Sequence, residues 1–172
     1  GQEDERIAGA LLNDIGPEVA PEGIQRIRTY VGKPASWASF TEAGAAMMER
    51  AGDVYPKWGA AEWERFARRC CREEGGRVVY DYDMRIAEPF AEANEATQPD
   101  LWPWLEHLKG RPVTILRGAL SDLFTEATAD RMVRELGEDA ELVTIADVGH
   151  APSFDEPESI AAVERLLDRV KG

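Results

Sequence analysis

This sequence is short of the groups that make cross-links, metal sites and membrane spans. Its 172 residues include two cysteines and two histidines. The cysteines are neighbours, Cys70 and Cys71, so they cannot build a disulfide framework. With no cluster of Cys and His, a zinc site has little to be made from, and neither metal nor cofactor is expected. No apolar run approaches the roughly 18 residues of a membrane span. The opening GQEDER lacks the basic region and apolar core of a secretory signal, so the expected setting is cytoplasmic. Positive charge is scarce too, with 20 Lys and Arg against 33 Asp and Glu and a net charge of -13. Such a surface repels phosphate backbones and anionic lipid, which argues against nucleic-acid and membrane partners.

What is present is the composition of a folded domain, 44% apolar and 31% charged, in a chain long enough for a real core. Ile7–Leu12 (IAGALL) reads as a buried parallel strand, bounded by charge before it and by NDIGP after it. From Pro17 to Glu88 the pattern turns helical. One helix is expected over Glu22–Tyr30, and a second opens on a capping box of Ser39 and Glu42. A third runs from Ala60 to Glu74 and ends at Gly75–Gly76, placing both cysteines within it as small hydrophobes. The segment Val78–Tyr82 is read as extended chain crossing back. These features predict an all-helical insertion over residues 17–88, between a core strand in 1–16 and the rest of the core in 89–172. In that last part Asp100 caps a short helix, Leu101–Lys109, with Trp104, Leu105 and Leu108 inward.

The chain is organised around Val113–His150. VTIL is a strand, RGALSDLF a loop holding Asp122, and Thr125 caps a helix with Ala129, Met132, Val133 and Leu136 on its inner face. Glu141–Ile145 is the next strand, and ADVGHAPSF a loop holding His150. Asp155 with Glu158 then forms a capping box for a last helix that buries Ile160, Val163, Leu167 and Val170. Strand and helix in short alternation imply an α/β fold: a mostly parallel sheet with helices on both faces. Ligands in such sheets sit at the carboxyl ends of the strands, where Asp122 and His150 lie.

His150 is the best single candidate for chemistry, because a histidine held by a carboxylate relays protons near neutral pH. Asp122 is the proposed orienter, accepting Nδ1–H and stabilising the imidazolium. Asp14, Asp147 and Asp155 compete for that role: Asp14 follows a strand, Asp147 suits a turn and Asp155 a cap. No nucleophile is found. Ser36, Ser39, Ser121, Ser153 and Ser159 all lie outside any G-x-S-x-G turn, so the chain by itself is expected to be inactive in acyl transfer. Trp37, Trp58, Trp102 and Phe124 are candidate walls of a substrate pocket, whereas Trp63 and Trp104 fit helix faces as core. Arg117 either binds an anionic substrate or pairs with local acids.

The ordered set LLNDIGP (11–17), the helical insertion, VTILRGALSD (113–122) and VGHAPSFDEPE (148–158) resembles the C-terminal portion of a capped α/β hydrolase, within the esterase, enol-lactonase and carbon–carbon hydrolase group. In that family the triad runs nucleophile, acid, histidine. The resemblance implies a partial α/β-hydrolase fold, with Asp122 and His150 as second and third triad members. It implies a serine nucleophile and an oxyanion hole on an N-terminal half, which would be the partner that completes the sheet, and a small organic ester or lactone as substrate. Alternatives are a parent with an aspartate nucleophile, as in dehalogenases or epoxide hydrolases, and a noncatalytic ligand-binding or structural subunit. A homo-oligomer through the edge of the first strand is a further arrangement.

Overall fold

The computed structural model describes residues 7–89 and 99–171. Among them the strands are β1 (Ala10–Asn13), β2 (Ser36–Trp37), β3 (Cys71–Glu74), β4 (Arg77–Tyr80), β5 (Val113–Gly118) and β6 (Ala140–Ile145). The α-helices are α1 (Pro21–Arg28), α2 (Phe40–Ala51), α3 (Ala60–Cys70), α4 (Trp102–Leu105), α5 (Glu126–Leu136) and α6 (Pro157–Lys171). Residues 7–24 and 99–171 form one compact unit and residues 25–89 another. None of the described helices is long and apolar enough to cross a membrane.

The first unit is built on a parallel sheet in the order β1-β5-β6, with Leu12 opposite Ile115 and Ile115 opposite Leu142. The central strand is dictated by its sequence. Val113, Thr114, Ile115 and Leu116 are all fully buried, as a parallel strand covered on both faces must be. Val113 and Ile115 join Leu105, Phe124, Ala129, Met132 and Leu136 in one apolar cluster, against which Ala10 and Leu12 pack. Thr125 caps α5 as expected, its Oγ1 accepting from Thr128 N at 3.1 Å.

Two helix faces differ from the expectation. On α6 the buried residues are Ser159, Ala162 and Leu166, while Ile160, Leu167 and Val170 stay 46%, 49% and 37% exposed. Two stripes of the helix are apolar enough to turn inward, and the one with the smaller side chains faces in. Trp104 is also outside, at 69% exposure, although Leu105 beside it is buried. The short α4 passes straight into a 3-10 turn, Glu106–Leu108, and this turn does not keep the α-helical spacing that would carry Trp104 inward.

The second unit is not all-helical. It holds a three-stranded antiparallel sheet in the order β2-β4-β3 beside α1 residues and helices α2 and α3. The pair Gly75–Gly76, expected to end a long helix, instead makes a two-residue hairpin turn with φ of +58° and +74°. Positive φ at both central residues is what a type I′ turn needs and what glycine supplies. Glu74 consequently pairs with Arg77, and Cys71 with Tyr80. The third helix stops at Cys70, and Cys71 is a buried strand residue rather than a helical one. Val78–Tyr80, read as crossing chain, belongs to the central strand of this sheet. Trp63, 1% exposed, anchors the helical side against Tyr55, Trp58 and Phe66, all edge-on or tilted to it at 5.1–5.9 Å.

Candidate active site

Three parallel strands end side by side, and the loops that follow them are laced together. Asp14 N donates to Leu116 O at 2.8 Å, Ala119 N to Ile145 O at 2.8 Å, and Leu120 N to Val148 O at 2.8 Å. The residue after β1, Asp14, sits in the left-handed region at φ 54°, a conformation that short polar side chains tolerate better than most. The turn sends its carboxylate inward, where it is fully buried.

A buried carboxylate stays ionised only if donors replace its water. Asp14 has three. Gly118 N donates to Oδ1 at 2.8 Å, and Ser121 Oγ and His150 Nδ1 both reach Oδ2, at 2.6 and 2.8 Å. Because an ionised carboxylate only accepts, the Nδ1 of His150 carries the proton, which leaves Nε2 to face a substrate or nucleophile. The imidazole keeps 25% of its surface open. The pair is therefore an acid–histidine dyad at the carboxyl ends of a parallel sheet, with its acid sealed and its base open.

The carboxylate bonded to Nδ1 of His150 is Asp14, the place that the sequence pattern gives first to Asp122. The main-chain carbonyl of Asp122 accepts from Gly23 N at 3.0 Å, and its side chain is half-buried. Both acids follow a strand end, so position along the chain does not separate them. The register does, since it places Asn13 beside Leu116 and so brings Asp14 level with Arg117, within reach of the Gly118 amide. An acid set immediately after the last strand residue, without an intervening loop, is the signal that could have found it. Among the remaining expected site residues, Phe124 is fully buried in the core of the first unit. Trp102 lies under the Arg131 guanidinium at 3.6 Å and donates its indole N–H to Glu18 at 2.6 Å. Trp37 and Trp58 belong to the second unit, Trp37 edge-on to Tyr80 at 5.1 Å and Trp58 stacked on Tyr55 at 3.9 Å. Arg117 donates Nε to Phe124 O at 3.0 Å and so clips its own loop.

Each serine hydroxyl is already engaged. Ser36 and Ser39 accept from Arg77 and from Glu42 N, Ser153 and Ser159 donate to Glu156, and Ser121 serves Asp14. Burial pushes the Cys71 thiol up to about 11, with Cys70 and Asp81 adding to the shift, so it is no nucleophile at neutral pH. No group of three or more His, Cys, Asp or Glu able to hold a metal occurs among the described residues.

No family model matches the chain. It is 34% identical over 165 residues to the 3-hydroxybutyrate-oligomer hydrolase of Cupriavidus necator, a match that covers 91% of this chain and 55% of that protein. It superposes on the crystal structure of an α/β hydrolase from Novosphingobium aromaticivorans with a TM-score of 0.87 and 49% identity, covering 95% of this chain and 57% of that one. It also superposes on E-2-(acetamidomethylene)succinate hydrolase, with a TM-score of 0.68 at 17% identity, over 96% of this chain and 58% of that one. The fold is that of the α/β hydrolases, and the chain spans little more than half the length of each of these proteins.

Proposed function

We propose that this chain supplies the acid and the base of a serine-type α/β hydrolase acting on an ester or related carbonyl of a small organic substrate. The observation that carries the reading is the sealed Asp14 carboxylate bonded to a partly open His150. In such a centre the nucleophile's hydroxyl proton passes to Nε2 of His150 as its oxygen attacks the carbonyl carbon. The imidazolium forms against Asp14, then gives its proton to the leaving alcohol. Water repeats the cycle on the acyl-enzyme and releases the acid. The likeness to a protein named for hydrolysing 3-hydroxybutyrate oligomers supports an ester bond, since hydroxy acids oligomerise through esters. The 25–89 unit is read as the cap insertion, which selects the substrate.

The nucleophile and oxyanion hole are assigned to an N-terminal half outside these residues. Two surfaces of the first unit support a partner of that kind. Among the described residues β1 pairs on one side only. Beside it runs an apolar groove of about 230 Å³, lined by Leu12, Ile15, Leu101, Trp104, Leu108 and Met132 among others. A parallel strand added at the free edge and entering β1 through a helix would repeat the β5–α5–β6 connection in the same direction. The right-handed rule then places that helix on the α5 face, where the groove lies.

The test is intact-mass analysis of the protein purified from its natural source and treated with a fluorophosphonate. The expected result is a label on a serine of the N-terminal half and none on residues of this 19.1 kDa chain. A label on one of its own serines, or ester turnover by the chain alone, overturns the assignment.

A further inference from the structure

We infer that Ser121 is a positioning residue that fixes which lone pair of Asp14 the imidazole of His150 receives; the inference rests on the dyad described above. Ser121 lies at the turn of the loop after β5, where its N donates to Gly118 O at 3.0 Å. Its hydroxyl oxygen accepts from Leu123 N at 3.3 Å and Phe124 N at 3.0 Å. Those two donors fill the acceptor side of the hydroxyl, so its single proton must go elsewhere. It goes to Oδ2 of Asp14, 107 positions away in sequence, at 2.6 Å.

A carboxylate oxygen has two lone pairs in its plane. On Asp14, Oδ1 is held by the Gly118 amide, and Oδ2 is shared between Ser121 and His150. Gly118 and Ser121 together fix the plane of the carboxylate from one rigid source, the end of β5 and its tight loop. Ser121 occupies one lone pair of Oδ2 and leaves the other for Nδ1–H. Without it the buried oxygen has a vacant lone pair, and the carboxylate is free to rock about its remaining bond to Gly118. An ordinary serine turn would need only the two amides from Leu123 and Phe124. The bond to a buried acid from another strand is the part that such a turn does not explain. The same commitment removes Ser121 from the list of nucleophiles, because donation of its proton is what holds the acid.

The chain has only His107 and His150, so ring ¹⁵N and Nδ1–H NMR signals of the 172-residue chain are readily assigned. His107 lies in another turn, against Trp104 O at 3.3 Å, and serves as an internal reference. In Ser121→Ala the Nδ1–H of His150 should exchange with water about tenfold faster, the scale set by one lost hydrogen bond, and the Nε2–H tautomer should appear, with His107 unchanged. Ser121→Thr keeps the hydroxyl and should restore the slow exchange and single tautomer. Asp14→Asn separates the two levels of the argument. If Asp14→Asn abolishes the protected Nδ1–H while Ser121→Ala leaves it as in the parent chain, the dyad stands and the role of Ser121 is overturned. If Asp14→Asn changes nothing, the dyad itself fails. Should Ser121→Ala not fold, Ser121→Cys takes its place: the weaker thiol donor should give intermediate exchange, and exchange equal to the parent's overturns the inference.

Discussion

The Asp14 carboxylate and the Gly118 amide, 104 positions apart in sequence, are joined by a 2.8 Å hydrogen bond that ties the end of β1 to the end of β5. Gly118 is also where the histidine loop crosses closest. A Cβ there would stand 2.5 Å from Val148 O, with Gly149 O nearer still. Both obstacles are backbone and cannot swing aside. Gly118→Ala is therefore expected to destabilise the chain by about 1–3 kcal/mol, read as a lower midpoint in urea denaturation.

The two candidate acids make opposite predictions. In the complete enzyme, Asp14→Asn should reverse the hydrogen bond to the imidazole and lower kcat on the order of 10³–10⁴-fold, the scale of that change in triad enzymes. Asp122→Asn should cost a few-fold at most. Steady-state kinetics on an activated ester decides between them, and a larger loss at Asp122 would return the role to that residue.

Thr114 lies fully buried in β5, and its Oγ1 has no hydrogen-bond partner among the described residues. Replacing the hydroxyl by a methyl group keeps the shape and removes an unmet donor. Thr114→Val is expected to raise stability by about 1 kcal/mol, seen as a higher thermal midpoint.

Cys71 gives a pH signature. Burial holds its thiol at about 11 in the folded chain, against an ordinary 9.0. Between those values the unfolded chain loses a proton that the folded chain keeps, so stability falls as pH rises through that window. At pH 8 the folded thiol should react with iodoacetamide on the order of 100-fold more slowly than the same residue in urea. Peptide mass spectrometry after timed alkylation measures both rates.

Much of the architecture could be read from residue patterns. The β5 run Val113–Leu116, the Thr125 cap and the Ser39–Glu42 box each have a local physical cause, and each forms where that cause predicts. His150 was legible for the same reason, as a histidine in a loop directly after a strand. Its partner was not, because the choice between Asp14 and Asp122 depends on which strands are neighbours and in what register. Gly75–Gly76 was ambiguous in another way: paired glycines end a helix and also make a hairpin, and only the pairing of Cys71 with Tyr80 separates the two. On α6, periodicity offered two inward stripes, and close packing chose the one containing Ser159 and Ala162.

The exposed side chains of α6 and of the groove beside β1 also bear on how the chain behaves in a test tube. Ile160, Leu167, Leu101, Trp104 and Ile15 would favour self-association, yet every copy carries a net charge of -13. Mutual repulsion acts at long range and the apolar faces act only on contact, so the copies are expected to stay dispersed in dilute buffer. At about 1 M salt the repulsion reaches only about 3 Å, and light scattering should record clusters that were absent before. On that expectation the acidity of this surface acts as a colloidal device, keeping adhesive faces from meeting one another.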